Sequence, residues 1–142
     1  MKISAKTEYA CIAVLELAAC YDQGRPVRIR DIAEANGIPS RFLVQILLQL
    51  KSAGIVGSTR GAAGGYQLVK PPSEITLAEV MAVGDGQSTD PVTSVAQESA
   101  ASRTLMASWH NVAAVEREML EAVTFADLVE RAAEQMDNMY YI

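Results

Sequence analysis

The stretch Arg60-Gly-Ala-Ala-Gly-Gly-Tyr66 lies between two short segments with the composition of strands, Ile55–Thr59 and Tyr66–Val69. Glycine has no Cβ atom, so a turn rich in glycine lets the backbone come very close to a partner surface. The single arginine at the base of this turn is the kind of side chain that enters a narrow, electronegative groove of DNA. The pattern therefore predicts a β-hairpin with a basic tip that contacts a nucleic acid.

The residues before the hairpin predict three helices. Ser4 is a suitable N-cap for a first helix that runs to about Tyr21, and a short second helix covers Ile29–Ala35. An Asn-Gly turn follows, and a third helix covers Pro39–Ala53. Two helices joined by a short turn that contains glycine form a helix-turn-helix. Together with the hairpin they predict a mainly α-helical fold with a small β-hairpin wing, a winged helix-turn-helix.

The third helix has two different faces. One arc of about 100° is entirely aliphatic and is expected to be core; it consists of Leu43, Ile46, Leu47 and Leu50. The opposite arc carries Arg41, Gln45 and Leu48, with Val44 beside them. In a major groove, arginine and glutamine can read guanine and adenine, and an aliphatic side chain can cover a thymine methyl group. The alternative is that Val44 and Leu48 pack on a neighbouring helix.

The second half of the chain predicts a different organisation. Thr76 is placed to cap a short helix over Leu77–Val83, and residues 84–102 have the composition of a flexible loop. A long helix begins near Arg103, and a final helix covers Thr124–Met136. The chain thus divides into a winged helix-turn-helix DNA-binding domain at residues 1–72, a short helix with a flexible loop at 73–102, and a dimerisation helix with a C-terminal helix at 103–142.

An apolar stripe follows the long helix at alternating spacings of four and three residues, interrupted by Glu116. The stripe consists of Leu105, Trp109, Val112, Met119 and Val123. A wide stripe on a helix outside the N-terminal domain predicts a partner, most simply the same helix of a second chain. The alternative is that this helix folds back only on its own domain.

Charge is divided unevenly between the two halves of the chain. Residues 1–72 hold nine Lys and Arg against five Asp and Glu, which gives 9 − 5 = +4. Residues 73–142 hold three against twelve, which gives 3 − 12 = −9, and the two values sum to the net charge of −5. This division predicts a basic end that binds an anion and an acidic end with another role. The alternative is two solvated surfaces of unequal composition.

No motif for catalysis or metal binding is found in the sequence. The glycines after Arg60 are not followed by Gly-Lys-Ser/Thr, and the one histidine, His110, lacks the partners of a nucleophilic triad. Cys11 and Cys20 lie nine positions apart on the first predicted helix, so they face opposite sides and are expected to be small buried side chains. We therefore expect a protein that is not an enzyme.

The sequence also argues against a membrane partner. It contains no uninterrupted apolar stretch of about 18 residues, the length expected of a spanning helix. The first residues reach Glu8 before any long apolar segment, unlike a secretory signal. We expect a soluble, cytoplasmic protein.

Five strings together carry a family resemblance. They are Met1-Lys-Ile-Ser-Ala-Lys-Thr-Glu-Tyr-Ala10, Ile29-Arg-Asp-Ile-Ala-Glu34, Gly37-Ile-Pro-Ser-Arg-Phe-Leu-Val-Gln-Ile-Leu47, Leu50-Lys-Ser-Ala-Gly-Ile-Val56 and Arg60-Gly-Ala-Ala-Gly-Gly-Tyr-Gln-Leu68. On these strings the chain resembles the Rrf2 family of bacterial transcription regulators over nearly its whole length. The resemblance implies a homodimer that exchanges the long C-terminal helix and places two wings on successive turns of double-stranded DNA.

The resemblance also implies roles for individual residues. It implies base contacts from the start of the third helix, insertion of one arginine into the minor groove with support from the wing glycines, and phosphate contacts near the N-terminus. Several family members have a glutamate that reads cytosine where this chain has Val44, so the preferred operator is expected to differ. The implied residues are Ser40, Arg41, Phe42 and Gln45 for the bases, Arg60, Gly61, Gly64 and Gly65 for the minor groove, and Ser4 and Lys6 for the phosphates.

The segment between the short and the long helix departs from the family. Many relatives place three cysteines there and bind an iron–sulfur cluster, whereas Asp85–Arg103 contains no cysteine. A cluster needs thiolate ligands. The resemblance thus implies a member without a cluster, and we expect no metal and no cofactor.

The main hypothesis is a homodimer that binds a pseudo-palindromic operator and represses transcription. A second is a protein-interaction module in which the acidic half binds a regulatory protein. A third is a small-molecule sensor with a pocket between Leu77–Val83, Trp109 and the long helix of the second chain.

Overall fold

The computed structural model describes residues 1–85 and 90–140. Within these ranges the chain is mainly α-helical with one antiparallel β-hairpin, which confirms the predicted fold class. No helix in this part of the chain combines the length and apolarity needed to cross a membrane. The elements are, in order, α1 (Ala5–Ala19), α2 (Ile29–Asn36), α3 (Ser40–Ser52), β1 (Val56–Thr59), β2 (Gly65–Leu68), α4 (Leu77–Asp85), α5 (Ala100–Ala122) and α6 (Phe125–Tyr140).

Helix α1 organises the core, where it packs against α3, α4 and α6. The predicted inward face of α3 is confirmed, because its four aliphatic side chains are buried. Residues of the second half complete the same core, namely Ile75, Val80 and Phe125. Burial of each large aliphatic side chain contributes roughly 1.5–3 kcal/mol to folding.

A short backbone bridge joins the start of α4 to the start of α6. The amide of Leu77 donates to the carbonyl oxygen of Val123 at 2.8 Å, and the amide of Phe125 donates to that of Ile75 at 2.9 Å. The hydroxyl of Thr76 caps α4, as predicted. The bridge fixes the C-terminal end of α5, although α5 itself has no buried residue.

The hairpin is attached to the helices by a third extended segment. Its strands pair in the register Val56↔Leu68 to Thr59↔Gly65, so each strand begins or ends within one residue of the predicted bounds. Val27 then pairs with Tyr66 on the other side of β2, with both N–H···O distances at 2.8 Å. A Cβ atom at Gly65, whose φ is +152°, would lie 2.5 Å from the carbonyl oxygen of Val27. Only glycine allows this approach.

The long helix begins earlier than the sequence indicated. The predicted start at Arg103 was wrong, since α5 begins at Ala100. Ser99 and Ser102 cap the helix reciprocally, each hydroxyl accepting from the backbone amide of the other at 3.1 Å. Small polar residues here stabilise a helix start rather than a loop.

Three further boundaries differ from the prediction. Helix α6 continues to Tyr140 instead of ending near Met136. Val123, predicted as the last residue of the apolar stripe, lies after α5 with an extended backbone, because its carbonyl belongs to the bridge with Leu77. Helix α4 continues to Asp85, and Gly84 packs so closely on Thr7 that a Cβ atom would lie 2.5 Å from the hydroxyl oxygen. Residues 86–89 of the predicted loop lie outside the described residues.

The attachment of the hairpin can be tested with Gly65→Ala. The added methyl group must displace the Val27 backbone, and we expect a loss of about 1–3 kcal/mol in the free energy of unfolding. Urea denaturation measures this loss, with Ala63→Ser at the exposed turn as the control. A Gly65→Ala protein as stable as the parent would show that the close approach is not needed.

Candidate nucleic-acid interface

The outward face of α3 is open to solvent. Ser40, Arg41 and Gln45 are exposed, as are Phe42, Val44 and Leu48. Val44 and Leu48 are 42% and 52% exposed, so within the described part of the chain no helix buries them. The face therefore combines hydrogen-bonding and apolar side chains, as a surface that reads base edges requires.

The first turns of α1 lie next to the start of α3. The rings of Tyr9 and Phe42 are 6.1 Å apart between centroids, and the Cζ atom of Arg41 lies 5.0 Å from the Phe42 ring centroid. Lys6 precedes Tyr9 by three positions on α1, so the two side chains are neighbours on the helix surface. The structure thus places the helix that carries Lys6 beside the start of α3, which carries Arg41 and Phe42.

Ser4 has structural partners of its own. Its Oγ accepts from the amide of Thr7 at 3.1 Å, which caps α1, and its hydroxyl donates to Oδ1 of Asp85 at 2.9 Å. The N-terminus of a helix attracts phosphate, but here a carboxylate already lies beside it. No spacing rule could have paired residues 81 positions apart in the sequence.

The wing presents its arginine at the end of β1. Arg60 is exposed and directly follows the last strand pair, Thr59↔Gly65. Gly61, with φ of +105°, accepts at its carbonyl from the amide of Gly64 at 3.0 Å, which closes the turn. Across residues 1–85 and 90–140, no carboxylate lies within ion-pair distance of Arg60 or Arg41. Both guanidinium groups are thus available to an anionic partner.

Three side chains fix the wing to the helices, and the sequence did not indicate them. The amide of Gln67 donates to the carbonyl oxygen of Gly24 at 2.8 Å, and Nζ of Lys51 donates to Oγ of Ser58 at 2.7 Å. The guanidinium of Arg28 donates to the carbonyl oxygen of Ala62 in the turn. These contacts hold the wing in one position relative to α2 and α3.

Helix α5 exposes the predicted apolar stripe. The side chains of Trp109 and Val112 are 51% and 64% exposed, and Leu105 and Met119 are also exposed. Val115 extends this surface and was missed, although its spacing of three from Val112 and four from Met119 could have revealed it. A contiguous exposed apolar surface on a helix is typical of a protein–protein contact.

The thiols do not fit an iron–sulfur cluster. Cys11 is half-buried on α1, where burial and the charge of Asp85 raise its pKa to about 11, so it stays a protonated thiol and a poor ligand. Cys20 lies at the end of the same helix, and the segment Asp85–Arg103 has no cysteine. In the part of the chain that the structure describes, no three His, Cys, Asp or Glu side chains are grouped to hold a metal ion.

The sequence matches the Rrf2 family, described as an iron-dependent transcriptional regulator, over residues 3–131. It is 35% identical over 143 aligned positions to the HTH-type transcriptional regulator CymR of Bacillus subtilis, with all of both chains covered. The solved structure of CymR, the global cysteine regulator of B. subtilis, superposes with a TM-score of 0.81 at 33% identity and covers 92% of this chain and 98% of that one. The structure of T. potens IscR gives a TM-score of 0.76 at 30% identity, with 95% and 90% covered.

These similarities extend across both the helix-turn-helix with its wing and the C-terminal helices. They agree with the sequence strings that first indicated the family. On this evidence the chain belongs to the Rrf2 family of DNA-binding transcriptional regulators.

Proposed function

We propose that this protein binds a pseudo-palindromic operator as a homodimer, without an iron–sulfur cluster, and represses transcription. The observation that carries the proposal is the joint position of α3 and the wing. Backbone pairing of Val27 with Tyr66 fixes the hairpin to the segment that leads into α2. A bound dimer that overlaps a promoter would block RNA polymerase, which makes repression the simplest outcome.

In this proposal α3 and the wing contact different grooves of the DNA. The start of α3 enters the major groove, where Ser40, Arg41, Phe42 and Gln45 meet base edges. Arg60 enters the adjacent minor groove, which the turn can approach closely at the exposed Gly61. Gly64 is buried and Gly65 lies against Val27, so these two glycines support the turn from inside. Ser4 and Lys6 meet phosphates beside α3, with Asp85 moderating the attraction at Ser4.

Phosphate contacts would supply most of the affinity. If a dimer neutralises about 6–10 phosphates, its affinity should fall about 10³–10⁵-fold between 50 and 200 mM salt. This salt dependence separates a DNA-binding role from a pure protein-interaction role, in which affinity for DNA would be weak at any salt concentration.

Arg60→Ala and Arg41→Ala are expected to weaken DNA binding in different ways. Loss of Arg60 should lower the salt slope by about one unit per wing, and loss of Arg41 should cost about 1–3 kcal/mol at one base pair of each half-site. Mobility-shift titrations on an operator selected from random DNA measure both effects. Arg103→Ala, on α5, removes the same charge away from this surface and is the control. Both variants matching the parent would defeat the assignment.

The homodimer is supported by the exposed stripe of α5. A helix of 23 residues without one buried side chain is not expected to be stable alone in water. Leu105, Trp109, Val112 and Met119 lie along one side of it, and a second copy of the same stripe would cover them. Val123 lies after the last residue of α5 and would contact the second copy only at the C-terminal end of the helix.

Val112→Glu is expected to dissociate the dimer because it places two carboxylates in an apolar contact. We expect the dimer dissociation constant to rise at least about 100-fold, or about 2.8 kcal/mol. Sedimentation equilibrium measures this change, and Ala114→Glu on the opposite side of α5 is the matched control. A parent protein that stays monomeric at all concentrations would contradict the dimer.

A second candidate function, control by a small-molecule effector, is favoured by one cavity. A space of about 670 Å³ lies between α4, α5 and the N-terminus, and its lining includes Met81, Trp109 and Asp85. Ligand pockets have comparable volumes. Asp85 also accepts a hydrogen bond from the hydroxyl of Ser4, which connects the cavity to the start of α1.

A thermal-shift screen against metabolites tests this candidate. A ligand at about 100 times its dissociation constant should stabilise the protein by about 2.7 kcal/mol. Met81→Ala, which lines the cavity outside the dimer stripe, should reduce the shift, whereas Ala114→Ser should not. If no metabolite raises the melting temperature and a stoichiometric protein co-purifies instead, control by a regulatory protein replaces this candidate.

A further inference from the structure

We propose that Arg28 is a positioning residue that holds the tip of the wing, and through it Arg60, at the place where the minor groove is met. This inference rests on the proposed DNA-binding role of Arg60. Arg28 directly follows Val27, whose backbone pairs with Tyr66, and it occupies the N-cap position of α2 with an extended backbone (φ −81°, ψ 146°). Its guanidinium reaches across to the turn and donates to the carbonyl oxygen of Ala62.

The turn needs such support because the sheet does not extend into it. Strand pairing ends at Thr59↔Gly65, and residues 60–64 lie beyond the last pair. Inside the turn, the hydrogen bond from Gly64 to Gly61 closes the loop on itself but does not fix it to the helices. Among the hydrogen bonds of residues 1–85 and 90–140, that of Arg28 is the one that joins the turn to the rest of the protein.

Two anchors on one segment, together with the contacts of Lys51 and Gln67, therefore determine where Arg60 points. The end of β2 next to the turn is held by Val27 through Tyr66, and the turn itself is held by Arg28, one position further along the same extended segment. Because residues 27 and 28 lead directly into α2, both anchors move with the helix-turn-helix. A tip ordered before binding does not have to be ordered by the DNA, which improves affinity without a new contact.

An exposed arginine at the start of α2 has another obvious role, a direct contact with phosphate. The two roles differ in whether the contribution of Arg28 to DNA affinity depends on the presence of Arg60. A positioning residue loses its effect once Arg60 is gone, whereas an independent phosphate contact adds its own loss and its own decrease in salt slope of about 0.9. A double-mutant cycle separates the two.

The experiment compares the parent, Arg28→Ala, Arg60→Ala and the double variant on one selected operator. We expect Arg28→Ala to weaken binding about 10-fold, as for loss of one hydrogen bond from a charged group. The double variant should bind within about twofold of Arg60→Ala and keep its salt slope. Arg25→Ala, whose guanidinium contacts Gln23 instead of the turn, is the matched control and should show no such coupling.

Amide hydrogen exchange on the free protein provides a readout that does not need DNA. Arg28→Ala should speed exchange at residues 61–64 and leave the amides of α1 and α3 unchanged. Additive losses in the cycle, or unchanged exchange in the turn, would overturn the positioning role. If no variant and not even the parent binds DNA, the proposed function fails, while the exchange data still decide whether Arg28 holds the turn.

Discussion

The backbone of β2 lies so close to the backbone of Val27 that a Cβ atom on Gly65 would overlap the carbonyl oxygen. This close approach permits the paired hydrogen bonds between Val27 and Tyr66, and through them a two-stranded hairpin gains a third extended neighbour. An isolated hairpin is marginally stable in water. The pairing therefore makes the wing a rigid part of the helix-turn-helix, and the proposed recognition of two grooves at once depends on that rigidity.

The N-terminal and C-terminal halves of the chain carry opposite net charge. The basic half of the chain carries the face of α3 and the wing, where Arg41 and Arg60 have no carboxylate within ion-pair distance in the part of the chain described. The acidic half carries α5, whose apolar stripe is exposed, and acidic residues such as Glu116, Glu121 and Asp90 at the large cavity. Asp85 connects the halves, since it lies at that cavity and accepts the hydroxyl of Ser4. The cavity and the start of α1 are thus in direct contact through Asp85.

Much of this fold could be predicted from local patterns. The aliphatic arc of α3, the turn between α2 and α3 and the glycine-rich hairpin are encoded by spacing and by residues with few conformational options, so the sequence was sufficient for the fold class and for the exposed face of α3. The start of α5 could not be predicted, because serine and alanine occur both in loops and at capped helix starts. The reciprocal hydrogen bonds of Ser99 and Ser102 determine that the helix begins here.

Contacts between residues far apart in the chain could not be predicted from the sequence, for a different reason. Asp85 beside Ser4 and Arg28 beside the carbonyl oxygen of Ala62 join exposed residues far apart in the chain, and no periodicity links them. Val123 was assigned to the stripe by spacing alone, while its carbonyl in fact serves the bridge to Leu77. At Val123, the last position of the apolar pattern, a backbone hydrogen bond to a distant residue therefore decides the conformation instead of the helical periodicity.

The central claim is that α3 and the wing read adjacent grooves as one rigid surface, twice per dimer. Methylation interference with dimethyl sulfate tests it directly, because the reagent marks guanine N7 in the major groove and adenine N3 in the minor groove. On an operator selected from random DNA, the account predicts interference at N7 and, in the neighbouring minor groove, at N3, repeated in two half-sites with two-fold symmetry and a fixed spacing. Interference confined to one groove, or a single half-site without symmetry, would contradict it.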